Sequence, residues 1–263
     1  YQSLFGYTDG AELSNMILAD ASVQGYIYTG SLSGYARSSA FENVHVTGEI
    51  SGSLNYSGGL VGYLSGGNVH YCSFNGSVSG LGGYTGGLVG YAPGSPKIYH
   101  SYSSGSVAGS DKVGGLIGLL QDNSAVLSDC YSHASVSGLK ETGGLVGYLS
   151  SGRIVRSFST GLVIAPEVAS DIGGLLGKKV GGSINFCYWD VETSGQLSSA
   201  AGTGKSTAAL QQRINYENWN FYTLWQINEG SNYPVFQNLS AYTVQQAVTL
   251  ADLEGEGTAG NPY

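Results

Sequence analysis

Gly59-Leu60-Val61-Gly62 returns as Gly87-Leu88-Val89-Gly90, Gly115-Leu116-Ile117-Gly118, Gly144-Leu145-Val146-Gly147 and Gly174-Leu175-Leu176-Gly177. Successive leucines are 28, 28, 29 and 30 residues apart. Counting back by 28 from Leu60 reaches Leu32 in Gly30-Ser31-Leu32-Ser33-Gly34 and then Leu4 in Ser3-Leu4-Phe5-Gly6, two degenerate copies that bring the total to seven. Each copy carries a second segment, seen at 69–80 (VHYCSFNGSVSG), 98–109 (IYHSYSSGSVAG), 127–138 (LSDCYSHASVSG) and 154–163 (IVRSFSTGLV). These segments read as two short strands joined by a bend.

A unit of about 28 residues buries little apolar surface alone, so it must stack on its neighbours and share a core with them. Helical repeats need apolar residues three and four apart, whereas here glycine interrupts every few residues, at about 1 kcal/mol each inside a helix. The fold class expected is therefore all-β: a single-stranded parallel β-helix (β-solenoid), right-handed, of seven turns, with a C-terminal capping region. At ~4.8 Å per strand, seven turns make a rod ~34 Å long. Leu32, Leu60, Leu88, Leu116, Leu145 and Leu175 form the expected inward column. The domain boundaries read as a coil over 1–187, a capping segment over 188–240 that holds all three tryptophans, and a Gly-rich linker or the start of a following module over 241–263.

Composition supports this class and excludes others. Glycine accounts for 43 of 263 residues and tyrosine for 20, with one methionine, which suits short strands and tight turns. Ten Lys and Arg against 18 Asp and Glu give a net charge of −8. Such a chain has no basic stripe to neutralise phosphates, so nucleic acid is excluded as a partner. No apolar run approaches the ~18 residues of a membrane span, so no membrane insertion is expected, and no signal peptide opens the chain. Tyr1 stands where an initiator methionine would, the mark of a processed or truncated chain.

Cys72, Cys130 and Cys187 share one place in the second segment, two repeats apart, with Ser101 and Ser157 between them. Two turns separate them by ~9.6 Å, beyond disulfide reach and too far to share a metal. They read as buried thiols of the core. His45, His70, His100 and His133 occupy different places in the repeat, so no metal or cofactor role is assigned. Gly202-Thr203-Gly204-Lys205-Ser206-Thr207 lacks the upstream glycine of a phosphate-binding loop, Ser199 standing there; it reads as a turn capping a short helix. Glu141 and Asp171, near Lys112 and Lys140, read as a surface charge ladder, and no catalytic residue is assigned.

Tyrosine is the feature that a functional reading needs. Tyr7, Tyr35, Tyr63, Tyr91 and Tyr148 directly follow the motif, while Tyr28, Tyr56 and Tyr84 form a second column at intervals of 28. Stacked ladders result, either as reinforcement of the coil or as a contact surface for glycan or protein.

The repeated Gly-Gly-Leu-Val-Gly core with its Cys-Tyr-Ser-like second segment resembles the GLUG-motif proteins, repeats of very large bacterial and archaeal surface proteins. The likeness runs from about Leu4 to Asp190. In the tail, Cys187-Tyr188-Trp189-Asp190, Gly202-Thr203-Gly204-Lys205, Trp219-Asn220-Phe221, Trp225 and Tyr233-Pro234 look like the segment that ends such arrays. Ser33 departs from the pattern, replacing the Val. The resemblance implies a secreted or cell-wall-attached parent: an adhesin, a structural surface protein, or an immunoglobulin A-specific metalloprotease with its zinc domain elsewhere. It carries over no catalytic residue. The functions in competition are an extracellular structural or adhesive module contacting glycan or protein on another cell or the same surface, a self-assembling filament or sheath joined end to end, and an accessory region of a secreted protease or polysaccharide-processing enzyme.

Overall fold

A computed structural model describes residues 3–166, 168–237 and 247–248. The chain winds as a parallel β-solenoid of seven turns. Seven strands stack in one sheet, Phe5–Asp9, Ser33–Arg37, Val61–Ser65, Val89–Ala92, Ile117–Leu120, Val146–Leu149 and Leu176–Lys179. Five shorter strands, from Ser57–Gly58 to Ser170–Gly173, make a second sheet just before the motif. The second segments form the third and longest sheet. It begins with the 14-residue strand Glu12–Gly25 and the 13-residue strand Ala40–Gly52, which later turns break into pairs such as Asn68–His70 and Ser73–Gly80.

The motif's composition follows from this stacking. The leucines at 32, 60, 88, 116, 145 and 175 are at most 1% exposed, and Val61, Val89, Ile117, Val146 and Leu176 are fully buried. Glycine flanks them because the coil closes there without room for a side chain. A Cβ at Gly87 would lie 2.0 Å from the carbonyl oxygen of Gly115 one turn on, and one at Gly90 would lie 2.6 Å from that of Gly62. Cys72, Ser101, Cys130, Ser157 and Cys187 stack in one buried column. The serine hydroxyls accept from the backbone N–H of Cys72 and Cys130, both at 3.1 Å. All three thiols are free, and burial pushes those of Cys72 and Cys187 up to about 12, which makes them poor nucleophiles.

Two corners of each turn are made by left-handed residues that are not glycine. One holds Tyr28, Tyr56, Tyr84, Lys112, Glu141 and Asp171, with φ from 52° to 67°. The other holds Asn15, Asn43, Tyr71, His100, Asp129, Arg156 and Phe186, with φ from 45° to 57°. Each such L-residue costs about 1–2 kcal/mol, so its side chain needs compensating contacts.

The segment after the last turn has two parts. Ser198 O accepts from Gly174 N, Ala200 N donates to Leu176 O, and Thr203–Lys205 pairs in parallel with Tyr188–Asp190, which covers the final strand edges. Ser206 then caps the helix Thr207–Leu210, its Oγ accepting from Ala209 N. The remainder folds back along the flank of turns four to seven. There Tyr216, Trp219, Trp225 and Phe236 pack on the outward aromatic column Tyr102, Tyr131, Phe158 and Tyr188. Buried Asp129 fastens it: the carboxylate takes two hydrogen bonds from Arg156 at 2.6 and 2.7 Å, and Trp225 Nε1 points to it at 3.5 Å. Of the stretch read above as a linker, 241–263, only Ala247–Val248 is described, as a short strand pairing in parallel with Ile17 and Leu18; the rest, with 238–240, lies outside the described residues.

Candidate contact surface

In the seven-stranded sheet Tyr7, Tyr35, Tyr63, Tyr91, Leu119, Tyr148 and Lys178 are register partners. They lie two residues beyond buried Val61 and its equivalents and one beyond the close-packed glycine, where the rings emerge half-buried on the outside of the coil. The left-handed corner sets Tyr28, Tyr56 and Tyr84 beside them, also half-buried.

The rings stack along the axis and meet edge-on across it. Tyr35 and Tyr63 are 4.6 Å apart at 9°, Tyr28 and Tyr56 5.0 Å apart at 6°, and Tyr56 and Tyr84 5.0 Å apart at 24°. Between columns, Tyr56 meets Tyr63 at 5.2 Å and 81°, and Tyr28 meets Tyr35 at 5.5 Å and 77°. Tyr91 turns out of its own column and lies over Tyr56 at 5.7 Å and 19°. Burial, reinforced by neighbouring phenols, raises Tyr56 and Tyr91 above their ordinary value and pushes Tyr63 up to about 12, so these three stay neutral through physiological pH.

The ladder ends at the fifth turn. Lys112 takes the corner position and puts its ammonium 5.3 Å from the ring centre of Tyr84 and 5.5 Å from that of Tyr148. Beyond it the same corner is ionic. Lys112 Nζ lies 2.7 Å from Asp111 and 2.9 Å from Glu141, and Lys178 bridges Glu141 and Asp171 at 3.3 Å each. Burial alone would lower Lys112, but the hydrogen bonds and charges of Asp111 and Glu141 outweigh it and raise the ammonium. Glu141 is 3% exposed and Lys112 half-buried, so the group is centred on a buried carboxylate, while Asp171 and Lys140 stand at the surface as the sequence suggested.

The histidines are not all apart. His70 and His100 fall at different places in the repeat, yet the left-handed corner swings His100 back until its Nδ1 is 3.0 Å from His70 Nε2, with Glu42 3.6 Å from the other His70 nitrogen. Burial lowers both, His100 to about 4, with His70 adding to the effect there. Among the described residues no three His, Cys, Asp or Glu side chains converge in a metal-holding geometry. Sequence reasoning also missed an exposed apolar row one corner before the left-handed tyrosines: Tyr26, Leu54 and Leu81, at 67%, 37% and 79% exposure. The signal was an apolar residue two or three positions ahead of each corner tyrosine.

Residues 53–79 match the GLUG motif. Over 90 residues, 32% of the chain, the sequence is 34% identical to the "Putative Gly-rich membrane protein" of Evansella cellulosilytica, a match that covers 10% of that protein. The fold is shared with the solved structure of a "putative immunoglobulin A1 protease" from Bacteroides ovatus, at a TM-score of 0.62 and 20% identity over 86% of this chain and 75% of that one; this likeness concerns the fold alone. Among the described residues no helix is long and apolar enough to cross a membrane. The matched residues lie within one repeat of the coil, and the Gly-Leu-Val-Gly core beside them recurs in register through the later turns, so the chain carries a GLUG motif within a repeating parallel β-solenoid.

Proposed function

We propose that this chain is a non-catalytic structural and adhesive module of a larger extracellular cell-surface protein, contacting glycan or protein through its tyrosine face. The observation that carries this reading is the half-exposed cluster of seven tyrosines, Tyr7, Tyr28, Tyr35, Tyr56, Tyr63, Tyr84 and Tyr91, gathered from two columns onto one side of the coil. The backbone does not require them, since Lys112, Glu141 and Asp171 make the same corner. Tyrosine is enriched at interfaces because it offers a large rigid contact with a polar tip.

The test coats beads with the protein and measures their retention on cell layers under flow. A Tyr35→Ser, Tyr56→Ser, Tyr63→Ser variant should lose retention, whereas Asn75→Ala and Ser104→Ala on the long sheet should not. Equal retention of all three proteins would sink the reading.

End-to-end assembly is favoured by one separate observation. The outer edge of Glu12–Gly25 takes Ala247–Val248 as an added parallel strand, so that edge can accept backbone hydrogen bonds from another segment. Light scattering that stays monomeric across a wide concentration range would remove this alternative.

A further inference from the structure

We infer that the tyrosine face reads an uncharged, linear glycan laid along the coil axis, and reads it through phenol hydroxyls rather than by stacking sugar on ring. This rests on the adhesive reading above and narrows its partner to one class.

The rings of the inner turns have no free face to offer. Tyr56 lies between Tyr28 and Tyr84, with Tyr91 also over it, and Tyr63 is covered by Tyr35 on one side and makes T-shaped contacts with Tyr28, Tyr56 and Tyr91. The far side of Tyr84 is closed by the Lys112 ammonium. A sugar ring therefore cannot stack on these tyrosines without breaking the ladder. What the cluster presents to solvent is its polar rim. Among the described residues the hydroxyls of Tyr56, Tyr63 and Tyr84 have no hydrogen-bond partner, and none of the three oxygens is enclosed. Each can donate and accept, as a sugar hydroxyl can.

The spacing of the comb selects a polymer with its own short repeat. Equivalent phenols recur once per turn, at ~4.8 Å, close to the advance per residue of an extended, equatorially linked hexopyranose chain. A glycan running along the axis would meet the same group turn after turn, so individually weak hydrogen bonds accumulate, whereas a protein surface without stacked strands or repeats offers no such spacing. Tyr26, Leu54 and Leu81 edge the comb with exposed apolar surface suited to the C–H faces of pyranose rings. The cations bordering the face are paired, Arg37 with Asp9 at 3.5 Å and Lys112 with Asp111 and Glu141, which disfavours an acidic polysaccharide.

The experiment measures depletion of the protein from solution by powdered cellulose and chitin, with alginate gel as the anionic comparison. Retention is expected on at least one of the uncharged glycans and not on alginate. A Tyr56→Phe, Tyr63→Phe, Tyr84→Phe variant keeps the ladder and should unfold at the same temperature as the parent, yet lose about tenfold or more in affinity with its three hydroxyls gone. Binding by this variant equal to that of the parent would overturn the inference, because the rings and not the hydroxyls would then make the contact, while leaving the face itself adhesive. Failure of the parent on both uncharged glycans also overturns it. If bead retention then remains tyrosine-dependent and disappears when the target cells are treated with protease, the partner is a protein. Only the loss of tyrosine dependence in the bead assay removes the underlying reading.

Discussion

One corner of the coil carries Tyr28, Tyr56 and Tyr84 in turns two to four and Lys112, Glu141 and Asp171 in turns five to seven, all with the same left-handed backbone. In the neighbouring column four tyrosines give way to Leu119, Tyr148 and Lys178. The conformation thus tolerates quite different side chains, provided that each offsets its strain by stacking or by pairing. In the early turns, aromatic pairs contribute about 0.5–1.5 kcal/mol each, on the order of the cost of a left-handed residue. In the later turns ion pairs around a buried carboxylate do the same. The aromatic solution turns neutral phenol hydroxyls to solvent, whereas the ionic one turns charged groups that pair with one another, so the two halves, alike in backbone, differ in what they offer a partner.

The ionic half is where a small change should cost most. Glu141→Gln leaves Lys112 with Asp111 alone and Lys178 with Asp171 alone, removing the charge that both share. Losing one member of a buried pair costs about 3–5 kcal/mol, and the lower end applies because each lysine keeps a second partner. The midpoint of denaturant unfolding should fall accordingly, and a midpoint within error of the parent would show that the later corners need no ionic compensation.

Acid should separate the halves next. His133 packs against Tyr131, Phe158 and Tyr233 under the flank segment, and burial lowers it to about 4. His100, beside Phe236 and near Asp129, Arg156 and His70, is lowered to a similar value. A histidine depressed in the folded state leaves the unfolded chain to bind protons first. Its contribution is therefore complete above the unfolded value of ~6.5 and is lost as pH falls toward about 4, by about 3 kcal/mol for His133. All three tryptophans lie in residues 189–225, so their fluorescence should report the flank segment loosening over this range. A His133→Gln variant should loosen less steeply. Fluorescence unchanged down to pH 4 would mean that the histidines do not secure the segment.

How far these differences could be read from sequence depends on whether they repeat. The Gly-Leu-Val-Gly period exposes the coil because inward positions must be alike in every turn, and the same period exposes both tyrosine columns. The other left-handed corner runs Asn15, Asn43, Tyr71, His100, Asp129, Arg156, Phe186, with no residue type repeated beyond the first two, so a count of intervals does not find it. The His70–His100 pair and the Asp129–Arg156 tie belong to that corner and were hidden with it. The flank docking did leave a trace. Tyr102, Tyr131, Phe158 and Tyr188 each follow a core Ser or Cys, and an outward aromatic repeated over four turns needs a cover, which the tryptophan-bearing tail supplies.

The smallest expected effect is the one that bears most directly on the aromatic half. Desolvation, then the neighbouring phenols Tyr91 and Tyr35, push Tyr63 up to about 12, against ~10 in an unfolded chain. A phenol raised in the folded state contributes stability that is complete below ~10 and is lost as pH rises through about 12. Tyr63 is only half-buried, so solvent screens much of this and the change in stability should be slight. The titration itself is the sharper measure. Buried Tyr131 and Tyr216 are raised as well, so the informative quantity is the difference in tyrosinate absorbance between the parent and Tyr63→Phe. That difference should appear above the midpoint of free tyrosine, because the Tyr63 phenol is partly desolvated and its ring lies 4.6 Å from that of Tyr35 and 5.0 Å from that of Tyr91. A difference centred near 10 would mean that the rings stand apart in solution, each fully hydrated. The early turns would then have no aromatic ladder to set against the ionic one.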